Sequence, residues 1–266
     1  MLENLNALRS QIIEVGRRTY ERGFVASNDG NISARLDEKR ILITPTGVSK
    51  GFMKKEDLVV VDMNGNVVNG SKKPSSEVFM HLQVYKDRPD VNSVCHAHPP
   101  YATGFAVAGL PLDKCVLPEV IIALGNIPIV EYGTPGTDEF YKPVRKLLPE
   151  HDAFLLANHG ALTVGETVLA AYHKMETMEH FAHINFIATQ LGHITTLNKE
   201  QVKKLTDLRE KFGIRTNIGS TSCITDNSKD LQPGEQEGLD QLKFTENERE
   251  KLIDDITKSI IKKLKL

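Results

Sequence analysis

The spacing of hydrophobic and polar positions predicts short strands interleaved with helices. At the amino end, apolar residues recur at helical intervals and predict an amphipathic helix that ends near Gly23. From Asn28 onward, apolar runs separated by Gly, Asn, Asp and Pro predict strands at 41–46, 58–62, 67–69, 91–98, 127–132 and 153–157. The same spacing predicts helices at 75–85, 102–108 and 167–191. This order of elements indicates a mixed α/β, or layered α+β, architecture.

The pattern changes after Phe212, so the chain divides into one large domain and a tail. Residues 1–212 carry the periodic segments and are predicted to form the large folded domain. Residues 213–244 are polar, have few large apolar side chains and are predicted to form a flexible linker. Residues 245–266 open with capping-box spacing and then predict a short amphipathic helix, whose apolar positions are Leu252, Ile253, Ile256, Ile260 and Leu264.

Composition excludes several classes of protein. The formal net charge of −2 over 266 residues offers no polycation for a nucleic-acid backbone. The apolar runs are too short to span a membrane, and the amino end lacks the uninterrupted apolar stretch of an export signal. Three widely spaced cysteines do not suggest a disulfide framework. We therefore expect a cytoplasmic protein in a reducing compartment.

Three histidines have the spacing of metal ligands. His96 and His98 are two residues apart, so both imidazoles project from one face of a strand that Pro99 and Pro100 end. His159 follows the end of another predicted strand and precedes a glycine that permits close backbone approach. Three imidazoles leave one coordination position open, as catalytic metal sites require. The alternative is that these are strand histidines with ordinary hydrogen bonds.

Two further segments have the chemistry of an anion site. Ser75, Ser76 and Glu77 lie at a predicted helix start, where free backbone amides and hydroxyls attract a phosphate. An ordinary serine cap followed by a first-turn glutamate explains the same residues. The segment 44–47 is either a plain turn or a second backbone cradle for the phosphate.

Five segments occur together in one order and resemble the class II aldolase/adducin family. They are SNDGNIS at 27–33, ITPTG at 43–47, KPSSE at 73–77, HAHPP at 96–100 and ANHG at 157–160. The resemblance implies a central, mostly antiparallel sheet flanked by helices. It also implies a homotetramer with its active sites between subunits, and a small sugar phosphate as substrate.

The resemblance also implies a role for each matching residue. Three histidines would bind one Zn²⁺ per subunit: His96, His98 and His159. Glu77 would complete the metal shell of the empty enzyme and then act as the acid or base. The substrate phosphate would be held by Asn31, Thr46, Gly47, Ser75 and Ser76.

Within the family, the pattern is closest to aldolases acting on L-fuculose 1-phosphate or a similar ketose 1-phosphate. Such enzymes form dihydroxyacetone phosphate and L-lactaldehyde through a metal-stabilised enediolate. Related epimerases have aspartate where this chain has Glu77. The aldolase pattern also has a tyrosine near 116–120 that this chain lacks. Glu119 is the nearest titratable substitute unless it is an ordinary surface residue, and similar sugar-phosphate dehydratases use a glutamate in this region.

A non-catalytic interpretation of the same family also exists. The adducin branch uses this fold as an interaction module without a metal, and it differs from this chain, which retains all three histidines.

The tail resembles the encapsulation peptides that direct enzymes into bacterial microcompartments, so residues 245–266 would bind a shell protein. The alternatives for this segment are a helix packed on its own tetramer and a helix on a membrane surface.

Overall fold

The computed structural model describes residues 2–134, 136–212, 214, 223 and 225. Within these, the eight strands are β1 (Asn31–Asp37), β2 (Arg40–Ile43), β3 (Val59–Asp62), β4 (Val67–Asn69), β5 (Ser93–Ala97), β6 (Ile129–Val130), β7 (Ala153–Leu156) and β8 (Gly160–Gly165). The seven α-helices are α1 (Leu2–Glu21), α2 (Val78–Asp87), α3 (Pro100–Ala108), α4 (Pro118–Ala123), α5 (Asp138–Leu147), α6 (Val168–Gln190) and α7 (Lys199–Lys211).

All eight strands form one sheet, which confirms the predicted mostly antiparallel architecture. Their order is β4-β3-β2-β1-β5-β8-β7-β6. Each neighbouring pair is antiparallel except β6 and β7, which run parallel. The strand that contains His96 therefore lies in the interior of the sheet, between β1 and β8.

Helices cover both faces of the sheet, because side chains alternate along each strand. On β2, Leu42 packs into one core while Ile41 and Ile43 pack into the other. The first core is completed by residues of α1, α3, α4 and α6, and the second by residues of α2 and α5. The sheet is thus the middle of three layers, which confirms the predicted layered α/β class.

The structure adds elements that apolar spacing does not predict. Strand β1 contains the polar residues Asn31, Ser33 and Arg35, and β8 begins immediately after the histidine turn. The helix predicted at 75–85 begins instead at Val78. The Ser75 carbonyl accepts from the backbone N–H of Val78, while the Ser75 hydroxyl accepts from that of Glu77 at 3.3 Å. Ser75 therefore shapes the turn that precedes the helix.

The wide spacing of the three cysteines does not suggest a disulfide framework, but the structure joins two of them. Cys115 and Cys223 form a disulfide across 108 residues, while Cys95 is buried and free. The two sulfurs meet because α7 packs against α4, so that Cys115, Cys223, Ile121 and Val202 share one small apolar cluster. Distance along a sequence does not limit which cysteines meet in a fold.

The remaining expectations concern the tail and the membrane. The predicted linker at 213–244 lies outside the described residues except for positions 214, 223 and 225, and the predicted helix at 245–266 lies outside them entirely. In the described part of the chain, no helix is both long enough and apolar enough to cross a membrane.

Candidate metal centre and active site

His96 and His98 lie at the end of β5. His96 is inside the strand and only 1% exposed, while His98 follows its last residue. Pro99 and Pro100 then begin α3, since a proline at the first helical position suits its fixed φ. The backbone N–H of His98 donates to the Phe24 carbonyl, which ties this corner to the chain before β1.

His159 reaches the same place from the turn between β7 and β8. This turn needs a left-handed residue, which is Asn158 at φ 55°. At Gly160, an added Cβ would lie 2.5 Å from Cδ2 of His98 and 2.6 Å from the Ala97 carbonyl oxygen. Only glycine therefore lets β8 begin this close to the end of β5.

The three predicted ligands converge on one point. The Nε2 atom of His96 lies 3.2 Å from Nε2 of His98 and 3.1 Å from Nε2 of His159. In the described residues, these three form a group whose ligand atoms all lie within 4.8 Å of one another. The predicted meeting of three distant imidazoles is thus present in the fold.

Glu77 lies against this cluster. Its Oε1 atom is 3.1 Å from Nε2 of His159, and its Oε2 atom is 3.2 Å from Nε2 of His96. The side-chain amide of Asn31 donates to Oε2 at 2.6 Å. With 8% of its surface exposed, the carboxylate is held almost entirely by these groups.

The donor set fits a divalent cation. Nδ1 of His96 is 2.9 Å from the Ala161 carbonyl oxygen, which can only accept, so Nδ1 carries the proton and Nε2 a lone pair. Nδ1 of His98 faces Asp29 Oδ2 at 3.6 Å, which favours the same tautomer. Lone pairs of His96 and His98 then face each other and repel unless a cation lies between them. A tetrahedral zinc site with bonds of about 2.0–2.1 Å has edges of about 3.3 Å, close to the distances found.

Burial and local charge set the ionisation of these groups. Burial lowers the pKa of His96 to about 3, so its imidazole is neutral as a ligand must be. Burial, and then the nearby His159, also lower the pKa of His98. For Glu77, burial opposes ionisation, but its contacts with His96, His159 and Asn31 outweigh this effect. The pKa of Glu77 therefore lies well below its ordinary value.

The segments predicted to hold phosphate lie side by side next to Glu77. The backbone N–H of Thr46 donates to the Lys73 carbonyl at 3.1 Å, and that of Ser75 donates to the Thr44 carbonyl at 3.1 Å. Thr46, Gly47 and Ser76 are accessible from solvent, so an anion can reach them. Gly47 has φ 71°, and an added Cβ there would meet no atom within 4 Å.

Asn31 and Glu119 differ in position from the other predicted residues. The amide of Asn31 is engaged at both ends, by Glu77 and by His81. Glu119 is exposed in the first turn of α4. Sequence analysis also missed Asp29, which faces His98, and His81, which lies behind Asn31. Asp29 lies inside the SNDGNIS segment, and His81 is four residues after Glu77, so both had a detectable signal.

The comparisons with known proteins decide the family. The sequence profile of the class II aldolase and adducin N-terminal domain matches residues 10–186. This chain is a class II aldolase/adducin protein. L-fuculose phosphate aldolase from Methanococcus maripaludis strain S2 is 38% identical over 182 residues, which are 68% of this chain and 98% of that protein. The 3-oxo-tetronate 4-phosphate decarboxylase of Haemophilus influenzae is 33% identical over 209 residues, 77% of this chain and 95% of the relative.

Solved structures agree with this family assignment. A structure named L-fuculose 1-phosphate aldolase matches this class II aldolase/adducin protein with a TM-score of 0.70 and 34% identity. The match covers 78% of this chain and 97% of that chain. L-fuculose-1-phosphate aldolase from Thermus thermophilus has a TM-score of 0.63 and 31% identity, covering 71% and 98%. The fold and the family are thus shared with proteins named for lyase activity.

Proposed function

We propose that this protein is a metal-dependent lyase that cleaves a ketose 1-phosphate, L-fuculose 1-phosphate or a similar one, to dihydroxyacetone phosphate and L-lactaldehyde. The observation that supports this most is the Glu77 carboxylate, 3.1–3.2 Å from two of three converging imidazoles. His96, His98 and His159 would hold the cation, with Zn²⁺ the expected ion. When bound, the cation would act as a Lewis acid for the negative charge that develops on two substrate oxygens.

The residues of this chain would handle the phosphate and the protons. Gly47 and Ser76 would hold the phosphate through backbone amides. Thr46 and Ser75 would use their hydroxyls, because their backbone N–H groups already donate to the Lys73 and Thr44 carbonyls. Because the Asn31 amide already binds Glu77 and His81, we assign its side chain to the carboxylate instead of the phosphate.

Cleavage breaks the bond between C3 and C4 and leaves its electron pair on C3 as an enediolate. The C4 hydroxyl proton departs to a base as the aldehyde forms, and Glu119 is our candidate for that base. Glu77 would deliver a proton to C3 in cleavage and remove it in condensation. The ionised resting state of Glu77 suits the condensation direction, and exchange with solvent balances the two protons.

The test is a panel of ketose phosphates coupled to a dihydroxyacetone phosphate reporter. We expect turnover that chelation abolishes. Glu77→Gln should lower kcat by about 10²–10⁴-fold, the range of a general acid–base group. As a control, Glu200→Gln changes an exposed carboxylate paired with Lys204 and should leave the rate unchanged. Turnover that is insensitive to chelation and to Glu77→Gln would contradict this function.

A second candidate is decarboxylation of a 3-oxo-tetronate 4-phosphate. The relatives of that name favour it, at 33% identity in Haemophilus influenzae and 34% in Pectobacterium atrosepticum. Loss of CO₂ from a 3-oxo acid leaves its electron pair as an enediolate, which the same carboxylate can protonate. Release of CO₂ without an aldehyde would identify this activity, while dehydration or epimerisation would yield neither dihydroxyacetone phosphate nor CO₂.

An adducin-like module would carry no metal, whereas the enzymes should carry about one divalent ion per chain.

We also propose a homotetramer, and a tail that binds a microcompartment shell protein through residues 245–266. The family resemblance supports the first proposal, and the helical spacing of the tail supports the second. Light scattering tests the assembly. A fluorescent fusion of residues 245–266 should co-purify with shells, and uniform cytosolic fluorescence would contradict the targeting role.

A further inference from the structure

A chain of four buried polar residues lies behind Glu77. Asn31 and Ser33 come from β1, and His81 and Tyr85 come from α2. Their exposed fractions are 4%, 0%, 0% and 2% respectively. The hydroxyl of Ser33 is 2.6 Å from Nδ1 of His81 and 2.7 Å from the Tyr85 hydroxyl, and Nε2 of His81 contacts Oδ1 of Asn31.

The register of two elements produces this chain. Glu77 immediately precedes α2, and His81 and Tyr85 follow it at four-residue intervals on one face of that helix. Asn31 and Ser33 are two apart on one face of β1. The hydrogen bonds therefore alternate between helix and strand, in the order Glu77, Asn31, His81, Ser33, Tyr85. Among these described side-chain hydrogen bonds, none beyond Glu77 involves the three metal-ligand histidines.

The hydrogen bond from Asn31 to Glu77 fixes the direction of every bond in the chain. The amide nitrogen of Asn31 donates to the carboxylate, so the amide oxygen faces His81. That oxygen can only accept, so Nε2 of the neutral His81 donates and its Nδ1 accepts. The hydroxyl of Ser33 then donates to Nδ1 and accepts from Tyr85. Every donor thus points toward Glu77. Successive hydrogen bonds that run in one direction polarise and strengthen one another.

We propose that His81 is a positioning residue, which holds the Asn31 amide in the orientation that binds and orients the Glu77 carboxylate. The inference rests on the proposed function, in which Glu77 moves the proton. If the Asn31 amide turned over, its oxygen would face the carboxylate and repel it. His81 prevents this, because its Nε2–H can donate to the amide oxygen of Asn31 but not to the amide nitrogen.

Two variants at position 81 separate positioning from packing. His81→Gln places an amide nitrogen near the position of Nε2 and keeps the donor to Asn31, whereas His81→Asn reaches only the position of Nδ1. In the metal-loaded full chain, we expect His81→Gln to keep kcat within about threefold and His81→Asn to lower it by about 10–100-fold, as loss of a supporting hydrogen bond does. Both should keep KM within about threefold and retain the bound metal.

Equal kcat values for the two variants would overturn the proposal, since a packing role does not distinguish the two amides. A raised KM with unchanged kcat would also overturn it, because it would assign the Asn31 amide to the phosphate.

Neutron diffraction of the deuterated wild-type protein tests the chain without any variant. We expect deuterium on Nε2 of His81, none on its Nδ1, and the Ser33 deuteron directed at Nδ1. Deuterium on Nδ1 alone would overturn the proposal even if a variant fails to fold. If the wild-type enzyme cleaves no ketose phosphate, the proposed function fails, and the deuteron positions still decide the orientation of Asn31.

Discussion

Gly160 is the residue on which the spacing of the imidazoles depends most directly. An added Cβ at Gly160 would lie 2.5 Å from Cδ2 of the His98 ring, which is too close for either atom to stay in place. The Ala97 carbonyl is backbone and cannot turn away, so the ring or the start of β8 would have to move. A displacement of about 1 Å is large compared with the tolerance of a metal site.

We expect Gly160→Ala to lower both the bound metal and the stability, the latter by about 1–3 kcal/mol. Metal analysis and urea unfolding check the two effects. Gly165→Ala is the matched control, because its Cβ would lie 2.6 Å from the Ala171 backbone nitrogen, away from the imidazoles. Gly165→Ala should lose stability yet keep its metal. Equal metal content in both variants would contradict this account of Gly160.

His81 should make stability depend on pH. Burial lowers its pKa to about 4 from an ordinary 6.5. Between these values the unfolded chain binds a proton that the folded protein refuses, so stability is complete above about pH 6.5 and falls as the pH drops toward 4. The loss amounts to about 3 kcal/mol at most. Urea unfolding of His81→Gln across this range should show a shallower slope by about one proton, and an unchanged slope would contradict the buried neutral imidazole.

Individual site residues differ in how well sequence predicts them. His96, His98 and His159 were candidate ligands from their spacing and strand ends, and the resemblance carried by five segments in one order added the role of Glu77. Asn31 was assigned to phosphate from the motif alone. Its two amide contacts depend on which residue of α2 faces which residue of β1, and that pairing is a tertiary property. The role of His81 can be inferred from the sequence only if the four-residue spacing from Glu77 and the two-residue spacing of Asn31 and Ser33 are considered together.

At the scale of elements, α3 is held in place by a carboxylate from α6. Glu179 accepts from the backbone N–H of Tyr101 at 3.0 Å and of Ala102 at 2.8 Å. These groups lie in the first turn of α3, where the helix dipole favours a negative charge. Because α3 starts two residues after His98, this contact also fixes the corner that carries the ligand.

We expect Glu179→Ala to reduce stability by about 2–3 kcal/mol, because it removes two hydrogen bonds to a buried charged acceptor. Glu179→Gln keeps one acceptor and should lose about half as much. Thermal and urea unfolding measure both. Glu200→Ala provides the control, since its exposed pair with Lys204 should contribute about 0.5 kcal/mol or less. If Glu179→Ala lowers the free energy of unfolding no more than Glu200→Ala does, the contact of Glu179 with α3 does not stabilise the fold.

Element prediction succeeded where apolar periodicity was strong. The helix at 167–191 and the strands at 58–62, 67–69 and 153–157 occur within one or two residues of their predicted bounds. β1 was not predicted as an element, because its polar residues belong to the site and the buried hydrogen-bond chain. Its neighbours β2 and β5 determine that it is a strand.

At the scale of the whole molecule, the disulfide joins distant parts of the described chain. Cys115 and Cys223 are 108 residues apart, and loops of that length gain most from a covalent link in the chain-entropy description. The spacing of the cysteines did not suggest this bond, because it carries no information on the packing of α7 on α4.

Reduction should lower the free energy of unfolding by about 2–5 kcal/mol. Cys115→Ser without reductant should melt at the temperature of the reduced wild-type protein, and reductant should not lower it further. Differential scanning calorimetry with and without dithiothreitol makes the comparison. A melting temperature of the wild type that does not respond to the reductant would contradict the link.

The place of the imidazole cluster in the strand order has a consequence for opening motions. In the described sheet, β5 is separated from one edge by β1, β2 and β3 and from the other by β8 and β7, so local fraying begins at the edge strands β4 and β6. Amides of β5 should therefore exchange with solvent deuterium only when the whole domain opens. The imidazole cluster would then persist for as long as the native state does, while the edge strands β4 and β6 open and close far more often.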